Sequence, residues 1–225
     1  YISNLTAGAD KLYYFKWQPL ESEPNSSRGI NKLIEYNPAT GEKKVLLRTS
    51  SSALGSLQVV DGKLYYSLSD WSGGFDNLDY SGQGIVTNLY TYDLESGRRE
   101  KILTAEANDF TVLESGTIIY AEQNKDQYGS RIYSYVDGQK KELGTTSQLV
   151  AELTVSGGEV IAVSRENRAT KGIHRLDLED VSLTPIVDTG YQERGVSCRG
   201  DKLIYTANYS GREAIYQYDL EDGGV

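Results

Sequence analysis

Residues 62–66 read Gly62-Lys63-Leu64-Tyr65-Tyr66, and residues 89–97 read Leu89-Tyr90-Thr91-Tyr92-Asp93-Leu94-Glu95-Ser96-Gly97. Aromatic and aliphatic side chains recur in short runs closed by turn formers, which is the signature of strands that bury one face. The first signature occurs five times, at Asp10-Lys11-Leu12-Tyr13-Tyr14, at 62–66, at Gly116-Thr117-Ile118-Ile119-Tyr120, at Gly158-Glu159-Val160-Ile161-Ala162 and at Asp201-Lys202-Leu203-Ile204-Tyr205. The second follows each of them, ending at Tyr36, Tyr92, Tyr135, Leu176 and Tyr218, which are 56, 43, 41 and 42 residues apart.

A short strand precedes each first signature and another follows each turn, as in Lys43 to Leu47, Glu100 to Leu103 and Thr184 to Val187. The unit is four antiparallel strands, repeated at the spacing of a propeller blade. A lone four-stranded sheet cannot bury both faces, and radial packing of twisted sheets uses every face. The pattern predicts an all-β chain with one domain over residues 1–225. It is a β-propeller of five four-stranded antiparallel blades, the last incomplete, with blades near 1–48, 49–104, 105–144, 145–188 and 189–225. First strands near Leu5, Leu57, Val112, Leu153 and Val196 are expected to line its axis.

Only three strands are readable in the fifth blade, and Ala214 to Tyr218 carries neither proline nor charge to blunt an open edge. With Tyr1 first and no methionine anywhere, the chain reads as a piece of a longer parent protein.

A net charge of -9 argues against nucleic acid, whose affinity comes from Lys and Arg neutralising phosphates, and against anionic membranes. No apolar run approaches the roughly 18 residues of a membrane-spanning helix, so no membrane insertion is expected. Cys198 is the single cysteine, which leaves no internal disulfide and no zinc-ribbon site, and its alternating surroundings read as a small buried apolar position.

The run Lys63-Leu64-Tyr65-Tyr66 with Asp70-Trp71 downstream, followed by Leu89 to Gly97, resembles the blade pattern of the YWTD and TolB-like propellers, especially the extracytoplasmic bacterial ones. Tyrosine stands where that motif has tryptophan. The resemblance spans essentially the whole chain and implies binding of proteins or ligands in an extracytoplasmic setting: periplasm, cell surface or secreted.

Catalytic signatures are weak. His174, the single histidine, occupies the repeat slot of Tyr90, Tyr133 and Tyr216, inside a strand and away from the loops where a hydrolase triad would sit. Asp93, Asp177 and Asp219 recur just after the third strand, as residues that cap a turn do. No spacing singles out a carboxylate pair, and there is no phosphate-cradling glycine loop. No catalytic residue, cofactor or metal is assigned.

Departures from the repeat say more. From the second-strand aliphatic of the first signature to the residue that ends the second, the distance is 24 and 28 residues in the first two blades and 15 to 17 in the others. The enlarged loops, Phe15 to Gly29 and Asp70 to Thr87, hold both tryptophans, Trp17 and Trp71, together with Phe75 and Tyr80. Aromatic rings beside polar residues suit a sugar ring or a protein hot spot, although the tryptophans could equally cap their own blades. Asp70, Asp76 and Asp79 could supply oxygens to calcium, but a solvated acidic loop fits them better. The blade-to-blade segments add Asp109, Gln148, Glu193 and Arg194 to the same face.

The reading is a non-catalytic binding module that recognises a glycan or a protein partner through the long loops of blades 1 and 2. Two alternatives stand beside it. One is a carbohydrate-active enzyme, a polysaccharide lyase or glycosidase with an axial carboxylate site. The other is a structural or gating propeller of a larger protein.

Overall fold

Period-2 patterning and turn chemistry produce nineteen strands among the described residues. A computed structural model describes residues 2–19, 29–50, 52–69, 86–166, 169–191, 193–209 and 211–221. The chain divides into two compact units, Tyr1–Ala105 and Glu106–Val225.

The first unit holds two four-stranded sheets. One is β1 (Ile2–Gly8), β2 (Lys11–Pro19), β3 (Gly29–Tyr36) and β4 (Lys43–Thr49), and the other β5 (Ser52–Val60), β6 (Lys63–Ser69), β7 (Thr87–Asp93) and β8 (Arg99–Ala105). The second unit holds three. They are β9 (Ala107–Val112), β10 (Ile118–Gln123), β11 (Ser130–Val136) and β12 (Gln139–Thr146); then β13 (Leu149–Ser156), β14 (Glu159–Glu166), β15 (Ala169–Leu176) and β16 (Leu183–Val187); then β17 (Arg194–Arg199), β18 (Lys202–Ala207) and β19 (Ala214–Asp219). Every sheet is an antiparallel meander, and the fifth has three strands among the described residues. The fourth strands end one or two residues beyond the expected blade boundaries at 48, 104 and 144.

Turn residues fix the hairpins. Asp61 and Gly62 have φ of 46° and 69°, and Gly157 and Gly158 have 56° and 84°, the doubly left-handed geometry that matches strand twist. After the third strand, Asp93 Oδ1 accepts the Ser96 N–H at 2.7 Å, Asp177 Oδ1 the Glu179 N–H at 2.7 Å and Asp219 Oδ1 the Glu221 N–H at 3.1 Å. Asn37 does the same for Ala39 at 2.9 Å. These bonds hold the Asp93 carboxyl below its ordinary pKa, the Ser96 N–H being the largest cause.

Within each unit, one face of a sheet packs on the opposite face of the next. In the first, Tyr13, Phe15 and Leu33 meet Leu57, Leu64, Tyr66 and Leu68. In the second, Ile119, Ala121 and Ile132 meet Leu153, Val160, Ala162 and Leu176, and Ile161, Val163, Ile173 and Val187 meet Leu203, Tyr205 and Ala207. Each leucine, isoleucine, valine or phenylalanine among them is worth about 1.5–3 kcal/mol when fully buried, so these sheet-to-sheet layers are the cores of their units.

Each fourth strand carries a bulge at the same point, where Leu46, Ile102, Leu143 and Ile186 are the extra residues. The repeat therefore includes a bend and not only a set of pairings.

Candidate functional site

Two kinds of position could carry function: loops joining second to third strands, and segments leading from one blade into the next. Of the eight residues singled out from sequence, Trp71, Phe75 and Tyr80 lie outside the described residues, as do Asp70, Asp76 and Asp79. Trp17 is half-buried near the end of β2, opposite Asn31. Its indole covers Gly29, where an added Cβ would stand 2.3 Å from Trp17 Nε1, so the glycine is what lets the ring lie across the start of β3.

The other four belong to the second unit. Asp109 is buried on β9, and its carboxylate accepts the Leu153 N–H of β13 at 2.8 Å. One blade on, Glu152 accepts the Gly195 and Val196 N–H groups of β17 at 2.8 and 3.2 Å. The first strands of successive blades are thus tied by an acidic side chain that satisfies backbone donors of the next first strand, which in β17 lie in a bulge.

Gln148 is half-buried and its side-chain oxygen accepts the Ser164 hydroxyl; Ser164 Oγ lies 3.3 Å from His174 Nδ1. Both Ser164 and His174 are buried. Burial lowers the His174 pKa, opposed by the Gly172 carbonyl and Asp188, so the ring is neutral at neutral pH. Its slot faces Ala162, whereas the equivalent tyrosines stack on a partner: Tyr66 on Tyr90 at 5.6 Å, Tyr120 on Tyr133 at 5.3 Å and Tyr205 on Tyr216 at 5.7 Å. Cys198 is half-buried, and burial pushes its thiol up to about 11.

Glu193 is wholly buried just before β17. One carboxylate oxygen accepts the Thr189 hydroxyl and the other has no hydrogen-bond partner among the described residues. Arg194 is exposed and donates from Nε and Nη2 to Glu213 Oε1 at 3.0 and 2.7 Å.

Sequence reasoning passed over the tyrosines at this end of the fifth blade. Tyr191, 49% exposed, meets Tyr209 edge-on at 5.5 Å. Tyr209 in turn meets Tyr216 edge-on at 4.5 Å, and its hydroxyl lies 3.0 Å from that of Tyr205. Burial and this hydroxyl contact raise the Tyr205 pKa. The three loop residues Tyr191, Tyr209 and Glu213 stand at the ends of β17, β18 and β19 where Arg194 also stands. An aromatic edge and an ion pair thus share one end of the fifth sheet, residue types that can stack on a flat apolar face and hydrogen-bond its rim. Tyr128, also exposed, donates to the Arg165 carbonyl at 3.2 Å. Among the described residues there is no group of three or more His, Cys, Asp or Glu side chains placed to hold a metal ion.

Five consecutive antiparallel meanders, four of four strands and the last of three among the described residues, decide the architecture. The fold is a β-propeller. No protein-family model and no curated protein matches the sequence. Solved structures do resemble it. TolB from Acinetobacter baumannii matches with a TM-score of 0.66 at 14% identity over 98% of this chain and 66% of that one. A chain of a nidogen–laminin complex matches at 0.62, with 13% identity over 99% of this chain and 77% of that one. An acylaminoacyl peptidase of Pyrococcus horikoshii matches at 0.61, with 14% identity over 93% of this chain and 36% of that one. At such identities the likeness is one of fold, shared by proteins that bind and proteins that catalyse.

Proposed function

We propose that this chain is a non-catalytic binding module, acting as one propeller domain over residues 1–225 in an extracytoplasmic compartment, that recognises a glycan or a protein partner. The site is built from loops between second and third strands and from blade-to-blade segments. In the first unit Trp17, Trp71, Phe75 and Tyr80 supply aromatic surface; in the second Gln148 and Arg194 supply polar groups, and the buried Asp109 and Glu193 hold the segments that carry them. The observation that carries this reading is the Tyr191–Tyr209 edge, with Tyr191 exposed and Tyr209 half-buried, at the same end of the fifth sheet as the exposed Arg194–Glu213 pair. It lies wholly within the second unit. The sealed position of Ser164 and His174 supports the same reading, because a nucleophile and base need access to a substrate.

A second reading is a structural or gating propeller of a larger protein, favoured by the likeness to a peptidase of which this chain spans 36%. A glycan-array screen of the labelled chain, repeated with Tyr191→Ala/Tyr209→Ala, separates the two. Saturable binding to one glycan class that the double variant loses supports the module. Indifference to every glycan, together with no change in the variant's profile, removes the glycan half of the proposal.

A further inference from the structure

Gln148, Ser164 and His174 form a line of hydrogen-bonding groups in the fourth blade. In the second, third and fifth sheets two tyrosines stack at this level, Tyr66 on Tyr90, Tyr120 on Tyr133 and Tyr205 on Tyr216, whereas the fourth pairs Ala162 with His174. Ser164 stands two residues beyond Ala162 along β14, on the same face of the sheet, and is wholly buried. Its hydroxyl donates to Gln148 Oε1, and its oxygen lies 3.3 Å from His174 Nδ1. Gln148 is half-buried on the segment that leads into β13, so the line is sealed at the ring and reaches the surface at the amide.

A serine hydroxyl has one proton, which gives the line a direction. When Ser164 donates to Gln148 Oε1, as here, Nδ1 of the ring carries hydrogen and donates to Ser164, and the Gln148 amide nitrogen is left for a group outside the line. When Nδ1 is bare, Ser164 donates to the ring instead. Its oxygen then needs a donor on the other side, which only the amide NH2 of Gln148 supplies, and the turned amide leaves its carbonyl oxygen for the outside group. A neutral imidazole allows both directions, one for each tautomer; an imidazolium, with hydrogen on both nitrogens, allows the first alone.

The groups around the ring leave it as the member that titrates. Across the strand pairings it faces Ala162 and Pro185, neither ionisable. The third sheet brings Ile119, Ala121 and Ile132 to this interface, with Ser130 against Val150, and Tyr128 donates to the Arg165 carbonyl at the end of β14. Burial disfavours the charged ring most strongly, while the Gly172 carbonyl and Asp188, just past β16, favour it.

We propose that His174 is a buried proton switch acting on the recognition surface: with hydrogen on both ring nitrogens it fixes Gln148, through Ser164, as a hydrogen-bond donor, and with one nitrogen bare it lets the Gln148 amide turn over and accept. Acid thus narrows the groups that Gln148 can hold to those presenting an acceptor, a carbonyl or a carboxylate, whereas neutral pH also admits a hydroxyl or an N–H. This regulatory role rests on the proposed place of Gln148 in the binding surface. The proton-coupled reversal does not, and it is measured without a ligand.

Nitrogen-15 NMR of the whole chain follows the His174 ring and the Gln148 side-chain amide from neutral pH down to the onset of acid unfolding. The Gln148 resonances should shift with the ring at one shared midpoint. In Ser164→Ala, which nearly preserves the buried volume and removes the relay, the ring should still titrate and the Gln148 shift should be lost. His174→Gln should remove both. Gln148 resonances that ignore the ring's titration, or that follow it equally in Ser164→Ala, overturn the proposal. So does a ring that stays neutral until the chain unfolds, which circular dichroism of the same samples registers. A blank glycan array bears on the binding reading and leaves this coupling standing.

Discussion

The Asp109 carboxylate accepts the backbone N–H of Leu153 at 2.8 Å, across a gap of 44 residues in sequence and from one blade's first strand to the next. Glu152 repeats the arrangement toward Val196. Beside side-chain packing and contacts such as the Val150 N–H to Ser130 Oγ, the interface between sheets gains a fixed polar register, because a buried backbone donor left unpaired costs free energy.

Removing the acceptor at Asp109 should therefore weaken the second unit. Asp109→Ala is expected to cost about 1–3 kcal/mol and Asp109→Asn less, since an amide oxygen still accepts. Urea unfolding followed by far-UV circular dichroism measures both. An unchanged midpoint in the alanine variant would show that the bond does not hold the blades in register.

Trp17 and Trp71 allow a different partition. Replacing both by alanine should abolish ligand binding and leave the thermal midpoint nearly unchanged if the rings serve recognition. If instead they cap their blades, deletion of a buried tryptophan costs about 3–5 kcal/mol, and the midpoint drops by many degrees. Differential scanning calorimetry beside a binding assay distinguishes the two.

Acidification should act through His174. Its folded pKa is lowered by burial beneath the unfolded value of about 6.5. Between those two values the unfolded chain binds the extra proton, so stability is full above about pH 6.5 and falls as pH drops through that window. His174→Gln should flatten this part of the stability profile while the carboxylate-driven loss at lower pH stays. A profile of unchanged slope would mean that the ring is not the group that titrates.

The Cys198 thiol, pushed up to about 11 by burial, should be a poor nucleophile in the native protein. Alkylation by iodoacetamide at pH 8 is expected to be slow natively and to accelerate sharply in denaturant. Equal rates in the two states would contradict the burial that raises the pKa.

The blades were legible because Leu64-Tyr65-Tyr66 and its four counterparts set the period, and because Asp93, Asp177 and Asp219 mark turns by chemistry that acts over two or three residues. Asp109 could be picked out on a blade-to-blade segment but not paired, since its bond reaches a donor 44 residues away in sequence. The adjacent aliphatics Leu46-Leu47, Ile102-Leu103 and Ile186-Val187 break strict alternation, and that break is the trace of the fourth-strand bulge. Tyr191 and Tyr209 went unnoticed among 18 tyrosines, most of them anchoring strands, because nothing in their local sequence separates a ring that packs from one that faces solvent.

Those outer-strand bulges bear on colloidal behaviour. A strand that bends out of plane and carries Lys43, Lys44 and Arg48, or Arg99, Glu100 and Lys101, or Pro185, offers a poor template for a neighbouring molecule's backbone. In concentrated solution the bent, charged outer strands of the four complete sheets resist edge-to-edge pairing, so deleting the bulge residue Leu46 should make the protein less soluble without changing its net charge.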